Sequence, residues 1–152
     1  ATFPREVAGM VLVDASHEEQ TRRFEALMTP EQLAESRARR VSHAEGFDAA
    51  EVRARVAASR WRARIPLVVL VHGRLGKEMT PPGWSEEQLA ARERVWRELQ
   101  EDWARRSTRG RLVVAERSGH YIQNDQPELV VEAVREVVWA VRGRAAARRR
   151  RR

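Results

Sequence analysis

The stretch from Ile65 to Gly73, Ile-Pro-Leu-Val-Val-Leu-Val-His-Gly, constrains the fold of this chain more than any other feature. It is rich in β-branched residues and ends at a glycine, which is the pattern of a strand buried on both faces. Two further apolar runs, Val7 to Asp14 and Arg111 to Glu116, predict two more strands. Helical stretches separate the three runs, and this alternation favours parallel pairing in an α/β fold.

Helices are predicted in both long stretches between the strands. Residues 16–64 are rich in alanine, glutamate and arginine, with the pattern of a helix start at Thr29-Pro-Glu-Gln and an amphipathic helix from Asp48 to Trp61. Ser85-Glu-Glu-Gln opens another helix, which we expect to run to about Ser107. Its apolar residues recur at helical spacing and are predicted to face the core: Leu89, Trp96, Leu99 and Trp103.

A closing helix is expected after residue 126. Asp125 and Glu128 fit a capping pair at its start. A wide apolar face follows, formed by Leu129, Val130, Ala133, Val134, Val137, Val138 and Val141. The length of 152 residues suits one domain with a core of its own, which we expect to span residues 1–141.

The net charge of +7 lies entirely in the C-terminal tail. Residues 142–152 hold seven arginines and no acid, and the remaining 22 basic residues equal the 22 acidic ones in number. A run of like charges is usually disordered, so the tail is predicted to be disordered. We expect it to make weak, salt-dependent contacts with polyanions and no specific contact with nucleic acid.

Several classes of protein are excluded or disfavoured by composition. Cysteine is absent, so disulfides, thiolate metal sites and a cysteine nucleophile are excluded. Every apolar run is shorter than a bilayer span, so no membrane span is expected. The first residues lack the apolar segment of a signal peptide, which favours a cytoplasmic location. Because the sequence does not begin with methionine, we expect the natural start to lie upstream.

Two ionisable residues are the candidates for catalysis. Asp14 ends the first predicted strand, and His120 follows Gly119 on the loop after the third. Loops at the carboxyl ends of strands bring such residues together on a rigid frame. His120 is the candidate base, held on its loop by the rigid elements on either side. Asp14 could instead simply cap the helix that follows.

The sequence around these residues resembles the carboxy-terminal half of an α/β-hydrolase. The most specific match is Ser118-Gly-His-Tyr-Ile-Gln, followed by Asp-Gln-Pro-Glu-Leu-Val and a terminal helix. Phe3-Pro-Arg-Glu-Val-Ala-Gly-Met-Val-Leu-Val-Asp resembles the family's strand after the nucleophile's helix. The resemblance implies a partial α/β-hydrolase fold, with three parallel strands, flanking helices and a helical cap insertion over about residues 17–64.

The chain departs from this family in lacking a nucleophile. The family places a serine, usually in Gly-x-Ser-x-Gly, before the acid and the histidine. None of the seven serines lies in that motif, and there is no glycine-rich oxyanion segment. The family has both upstream of the position of Ala1. The chain alone is therefore expected to be inactive towards activated esters.

The resemblance implies a serine hydrolase that acts on a small ester-like substrate. His120 would act as base and then acid, Asp14 would orient it, and neither a metal nor an organic cofactor is implied. We favour Asp14 over Glu78 as this acid, because a strand end holds a side chain better than a proline-rich loop does. The alternative is a non-catalytic basic interaction protein that uses a hydrolase-like scaffold or its arginine tail. A Gly-x-Ser-x-Gly sequence encoded upstream of Ala1 would favour the hydrolase.

The other histidines and aromatic residues have less specific interpretations. His17 lies three residues after Asp14, but two potential ligands are weak evidence for a metal, and an exposed polar role is preferred. His72 is expected at the rim of the site and His43 on an exposed helix face. Four residues could line an acyl pocket or pack within the cap: Phe24, Met28, Phe47 and Trp61. Tyr121 and Ile122 are expected to pack beneath His120.

Overall fold

The computed structural model describes residues 6–38, 49–58 and 64–149, with a three-stranded sheet at its centre. The strands are Met10–Val13 (β1), Leu67–His72 (β2) and Gly110–Ala115 (β3). They are parallel throughout and lie in the order β1-β2-β3. The predicted α/β class with three parallel strands is therefore confirmed, although β1 and β2 are shorter than the apolar runs that predicted them.

Helices connect and flank these strands. Between β1 and β2 lie Gln20–Glu25 (α1), Pro30–Ala38 (α2) and Ala49–Ala58 (α3). A short 3-10 turn, Lys77–Met79, and the long helix Glu86–Arg105 (α4) separate β2 from β3. Ile122–Asp125 (α5) and Pro127–Arg149 (α6) follow β3. The helices predicted after Thr29, Asp48, Ser85 and residue 126 are thus present, with shifted ends.

Strand β2 is buried on both faces because helices cover both sides of the sheet. Val68 and Leu70 pack in a cluster with Ile122, Ala133 and Val137 of α5 and α6. The alternate residues of β2 face the other side, where they pack against residues of α1 and α4: Phe24, Trp96, Trp103 and Ala104. Side chains of a strand alternate between its faces, so a central strand covered on both sides must be apolar throughout.

Helix α4 begins where its sequence predicts. The hydroxyl of Ser85 accepts a hydrogen bond from the backbone N–H of Gln88, and the side chain of Gln88 accepts one from the N–H of Ser85. This reciprocal pair satisfies two backbone donors at the helix start. Trp96, Leu99 and Trp103 are buried, as predicted. Helix α4 therefore presents a fixed face to the sheet.

The wide apolar face predicted for α6 is divided in the structure. Ala133 and Val137 are buried, whereas Val134 and Val138 are exposed together with Val131 and Trp139. The predicted apolar face is therefore present but only partly buried, with Leu129 and Val130 packed against the same core cluster. A helix that crosses a narrow sheet buries a single stripe at spacing i, i+4, and the neighbouring apolar residues turn away from it.

Helix α6 also extends further than predicted. The tail is predicted to be disordered from residue 142, and the described backbone of α6 is helical as far as Arg149. Alanine and arginine are strong helix formers, and positive charge near a helix C-terminus is favourable. Within the described ranges, none of the helices combines the length and apolar character needed to cross a lipid bilayer.

Gly73 is required where the end of β2 meets the end of β3. A Cβ placed on Gly73 would lie 2.6 Å from Cα of Glu116 and 2.8 Å from the carbonyl oxygen of Ala115. Gly73→Ala is therefore expected to lower the free energy of unfolding by about 1–3 kcal/mol. The control is Gly143→Ala on α6, where a Cβ would meet nothing within 4 Å and alanine favours the helix. Equal stability of the two variants in urea denaturation would contradict this expectation.

Candidate active site

Asp14 is the first residue after β1, and its side chain lies at the carboxyl edge of the sheet. Its residue exposure is only 1%. Its φ of 43° lies in the left-handed region, which aspartate tolerates better than most residues. The chain beyond it is held by Gln100, whose Nε2 donates to the carbonyl of Ala15 at 2.8 Å. Such a backbone conformation persists where the surrounding contacts determine it, and it is frequent at functional sites.

His120 contacts Asp14 across the sheet edge. Nδ1 of His120 lies 2.7 Å from Oδ2 of Asp14. A carboxylate only accepts hydrogen bonds, so Nδ1 is the donor and Nε2 is the ring nitrogen that would accept a proton. The side chain of His120 is 39% exposed, whereas that of Asp14 is sealed. The structure thus brings together the two residues, more than a hundred positions apart, that the sequence predicts as base and acid.

The loop that carries His120 is fixed by backbone hydrogen bonds to the end of β2. The carbonyl of Ser118 accepts from the N–H of Gly73 at 3.2 Å and from the N–H of Arg74 at 3.0 Å. Ser118 is itself fully buried, and its hydroxyl donates to Oε1 of Gln126 at 3.0 Å. The position of His120 is therefore set by the rigid sheet on one side and by the start of α6 on the other.

The predicted capping pair before α6 is used differently. Oδ2 of Asp125 accepts from the backbone N–H of Gly119 at 2.9 Å. Glu128 forms an ion pair with Arg117 at 3.0 Å. Both acidic side chains thus hold the loop before His120, and the capping prediction is wrong as to their partners.

Tyr121 and Ile122 are both predicted to pack beneath His120, but of the two only Ile122 is buried there. It belongs to the core cluster on the sheet. Tyr121 is exposed and meets the ring of His120 edge to face, at 5.2 Å between centroids.

Two further groups bind the Asp14 carboxylate. Nε1 of Trp96 donates to Oδ1 at 2.8 Å. Nδ1 of His72 lies 2.9 Å from Oδ2 and 3.0 Å from Oδ1, and the backbone N–H of His72 donates to Oδ1 at 3.3 Å. With His120, two imidazole rings therefore share one carboxylate. His72 was expected at the site rim, but its residue exposure is only 2%, so that expectation is wrong.

The second nitrogen of His72 meets another carboxylate. Its Nε2 lies 2.7 Å from Oε2 of Glu93 on α4, and Oε1 of Glu93 pairs with Arg92 at 3.3 Å. Arg92 lies over the ring of Phe24 at 4.8 Å. A continuous series of contacts therefore runs Arg92–Glu93–His72–Asp14–His120, from a buried arginine on α4 to the partly exposed imidazole.

The charged groups in this series of contacts stabilise one another. Burial alone would lower the pKa of His72, but the hydrogen bonds and charges of Asp14 and Glu93 outweigh it and raise the pKa to about 9. Burial alone would raise the pKa of Asp14, but hydrogen bonds from His72, His120 and Trp96 lower it below its usual value. Near neutral pH the site therefore holds a charged His72 beside an ionised Asp14.

Sequence reasoning missed the roles of His72, Glu93 and Trp96. His72 has the same signal as Asp14, since both end a parallel strand at the same edge. Glu93 and Trp96 are three positions apart and therefore share one face of α4. That spacing predicts a common neighbour for the two side chains, but it cannot identify Asp14 as that neighbour.

Neither the capping role nor the alternative acid Glu78 changes the position of Asp14 at the sheet edge. Helix α1 begins after Glu19 and has no side-chain cap, so Asp14 does not cap it. Glu78 lies in the 3-10 turn Lys77–Met79, and its side chain is outside the described part of the structure. Asp14 contacts His120 in the structure, and the catalytic role of Asp14 stays a prediction.

His17 is buried rather than exposed, which corrects the expectation from sequence. Its Nε2 lies 3.1 Å from Oδ2 of Asp102, and its ring packs edge to face against Trp103. Arg106 completes the cluster through ion pairs with Asp102 and Glu18. This cluster attaches the segment after β1 to the C-terminal end of α4. Among the described residues, no three histidine, aspartate or glutamate side chains form a group that could hold a metal ion.

The predicted acyl-pocket residues separate in the structure. Phe24 is buried against Trp96 and Val71. Met28 instead lines a cleft of about 340 Å³ between α2 and the loop before α4, together with Gln32, Glu35, Ser36, Pro81, Pro82 and Trp84. Phe47 and Trp61, like His43, lie outside the described residues.

Comparison with known proteins gives no relative, since no family model, no curated protein and no solved structure matches this chain. The geometry of the site is therefore the guide to its chemistry. Its distinguishing feature is one buried carboxylate that binds a sealed imidazole and an accessible one.

The charge on His72 makes stability depend on pH. The pKa of His72 is about 9 in the folded protein and about 6.5 in an unfolded chain, so its contribution is complete below pH 6.5 and is lost as the pH rises through 9. We expect the free energy of unfolding to fall by about 3 kcal/mol between about pH 6 and about pH 10. The measurement is urea denaturation across this range. A His72→Asn variant should lack most of this decrease, and an identical decrease in the variant would contradict the assignment.

Proposed function

We propose that this chain contributes the histidine and the acid of a Ser-His-Asp triad in an α/β-hydrolase that cleaves carboxylic esters. The observation that supports the proposal best is the 2.7 Å contact between Nδ1 of His120 and Oδ2 of Asp14. Two loops at the carboxyl edge of a parallel sheet supply the pair, with the acid earlier in the chain than the histidine. That order is the one found in α/β-hydrolases.

The proposed reaction uses the two ring nitrogens of His120 differently. Nε2 takes the proton from a serine hydroxyl as the serine oxygen attacks the ester carbonyl carbon. The imidazolium then gives this proton to the alkoxy leaving group, which departs as the alcohol and leaves an acyl-serine. Water repeats the sequence and releases the carboxylic acid. Asp14 stays ionised throughout and stabilises the imidazolium through Nδ1.

The nucleophilic serine is proposed to come from outside this sequence. Three serines of the chain have structural roles: Ser85 caps α4, Ser107 donates to the carbonyl of Ile65, and Ser118 donates to Gln126. Within the described residues β1 lies at the sheet edge with β2 as its one neighbour. An additional strand that carries the serine could pair with β1 and place its own carboxyl end beside Asp14. The exposed apolar residues of α6 support the same proposal, since such patches usually lie against a partner.

The test adds the segment that is proposed to carry the nucleophilic serine. The chain is expressed with the protein segment encoded upstream of Ala1, and hydrolysis of p-nitrophenyl acetate is measured. We expect this longer protein to turn over the ester, whereas the 152-residue chain stays at background. His120→Ala and Asp14→Asn should each lower kcat by about 1,000-fold or more, because one loses the base and the other its orientation.

The control is Gln123→Ala, which removes an exposed polar side chain three residues after His120 and should keep full activity. Activity that survives His120→Ala in the longer protein would contradict the proposed triad. So would turnover by the 152-residue chain alone that is lost in His120→Ala.

A further inference from the structure

His72 is enclosed by acceptors on both ring nitrogens. Its Nδ1 faces Asp14 and its Nε2 faces Glu93, at 2.9 Å and 2.7 Å. Ionised carboxylates cannot donate, so both nitrogens must carry hydrogen for both contacts to be hydrogen bonds. The geometry therefore requires an imidazolium. The ring of Trp96 stacks over one face of the imidazole, at 6.1 Å between centroids.

This buried cation lies beside the catalytic pair. Oδ2 of Asp14 accepts from Nδ1 of His72 and from Nδ1 of His120. A carboxylate that serves His120 alone would strongly favour the protonated imidazole. Here the carboxylate is divided between two rings, and the charge of His72 opposes a second positive charge on His120.

From this shared carboxylate we infer that His72, held by Glu93, is a positioning residue that lowers the proton affinity of His120 and so keeps it available as a base. The inference rests on the proposed function for its catalytic meaning. A general base must be unprotonated at the working pH, and an ionised acid at 2.7 Å works against that condition. The fixed charge of His72 offsets the effect of the acid without removing the hydrogen bond that orients His120.

The surrounding charges are consistent with this arrangement. Five groups face His72 or its immediate partners: Asp14 after β1, Glu93 and Arg92 on α4, Arg97 through the carbonyl of His72, and His120 after β3. Arg92 pairs with Glu93, and Arg97 donates to the His72 carbonyl at 3.4 Å. Arg92 thus offsets part of the charge of Glu93, while His72 lies between the two carboxylates.

Histidine ring titrations by NMR test the inference without any turnover. In protein labelled with 13C at histidine, the ring signals are followed from about pH 5 to about pH 10. In His72→Asn, whose amide can still donate to Asp14, we expect the titration midpoint of His120 to rise by about one pH unit. In Glu93→Gln the midpoint of His72 should fall by about one unit or more, because one of its two carboxylates is neutralised.

The matched control is Glu101→Gln, which removes an acid from the same helix whose partner is the exposed Arg105. It should move neither midpoint. Should His72→Asn fail to fold, Glu93→Gln still tests whether Glu93 holds the charge of His72, since Glu93 is partly exposed and a glutamine there keeps a polar contact. A His120 midpoint in folded His72→Asn equal to that in Glu101→Gln would overturn the inference, and so would an unchanged His72 midpoint in Glu93→Gln. The expected shifts in a protein that never hydrolyses esters would overturn only the proposed function.

Discussion

The burial of the Asp14 carboxylate is the constraint on which this structure depends. An ionised carboxylate out of contact with water is costly unless several donors satisfy it. Asp14 receives donors from Trp96, His72 and His120, which belong to α4, β2 and the loop after β3. Moving any of these elements would leave a buried charge partly unsatisfied, so the carboxylate couples the packing of the fold to the geometry of the site.

The sheet provides the rigidity that this coupling requires. β2 is buried on both faces, and its last residue, His72, both pairs with β3 in register and binds Asp14. Gly73 then allows the loop before His120 to approach the end of β2, because no Cβ stands between the two backbones. The histidine loop is consequently bonded to the strand that holds the acid in place. A loop of this kind has little freedom to move its imidazole away from the carboxylate.

Much of this arrangement follows from positional rules that operate on sequence. An apolar run with a glycine after it predicts β2, and parallel strands place Asp14 and His120 at one edge. The contacts of α4 were harder to predict from the sequence. Spacing shows that Glu93 and Trp96 share a face, but it does not show which residues that face contacts. His17 shows the same limit: its burial depends on Asp102 and Arg106, which are more than 80 positions away. The division of the α6 apolar face likewise depends on the width of the sheet beneath it.

The two histidines that bind Asp14 have the same side chain, but their different burial gives them different roles. Each ring donates Nδ1–H to the same oxygen, but His72 is almost wholly enclosed whereas the side chain of His120 is 39% exposed. The second nitrogen of His72 faces Glu93, so loss of one proton from the ring would leave one of the two carboxylates without its donor. The side chain of His120 reaches solvent, so a substrate can approach it. In the proposed reaction the proton is therefore exchanged at His120, while His72 keeps its charge.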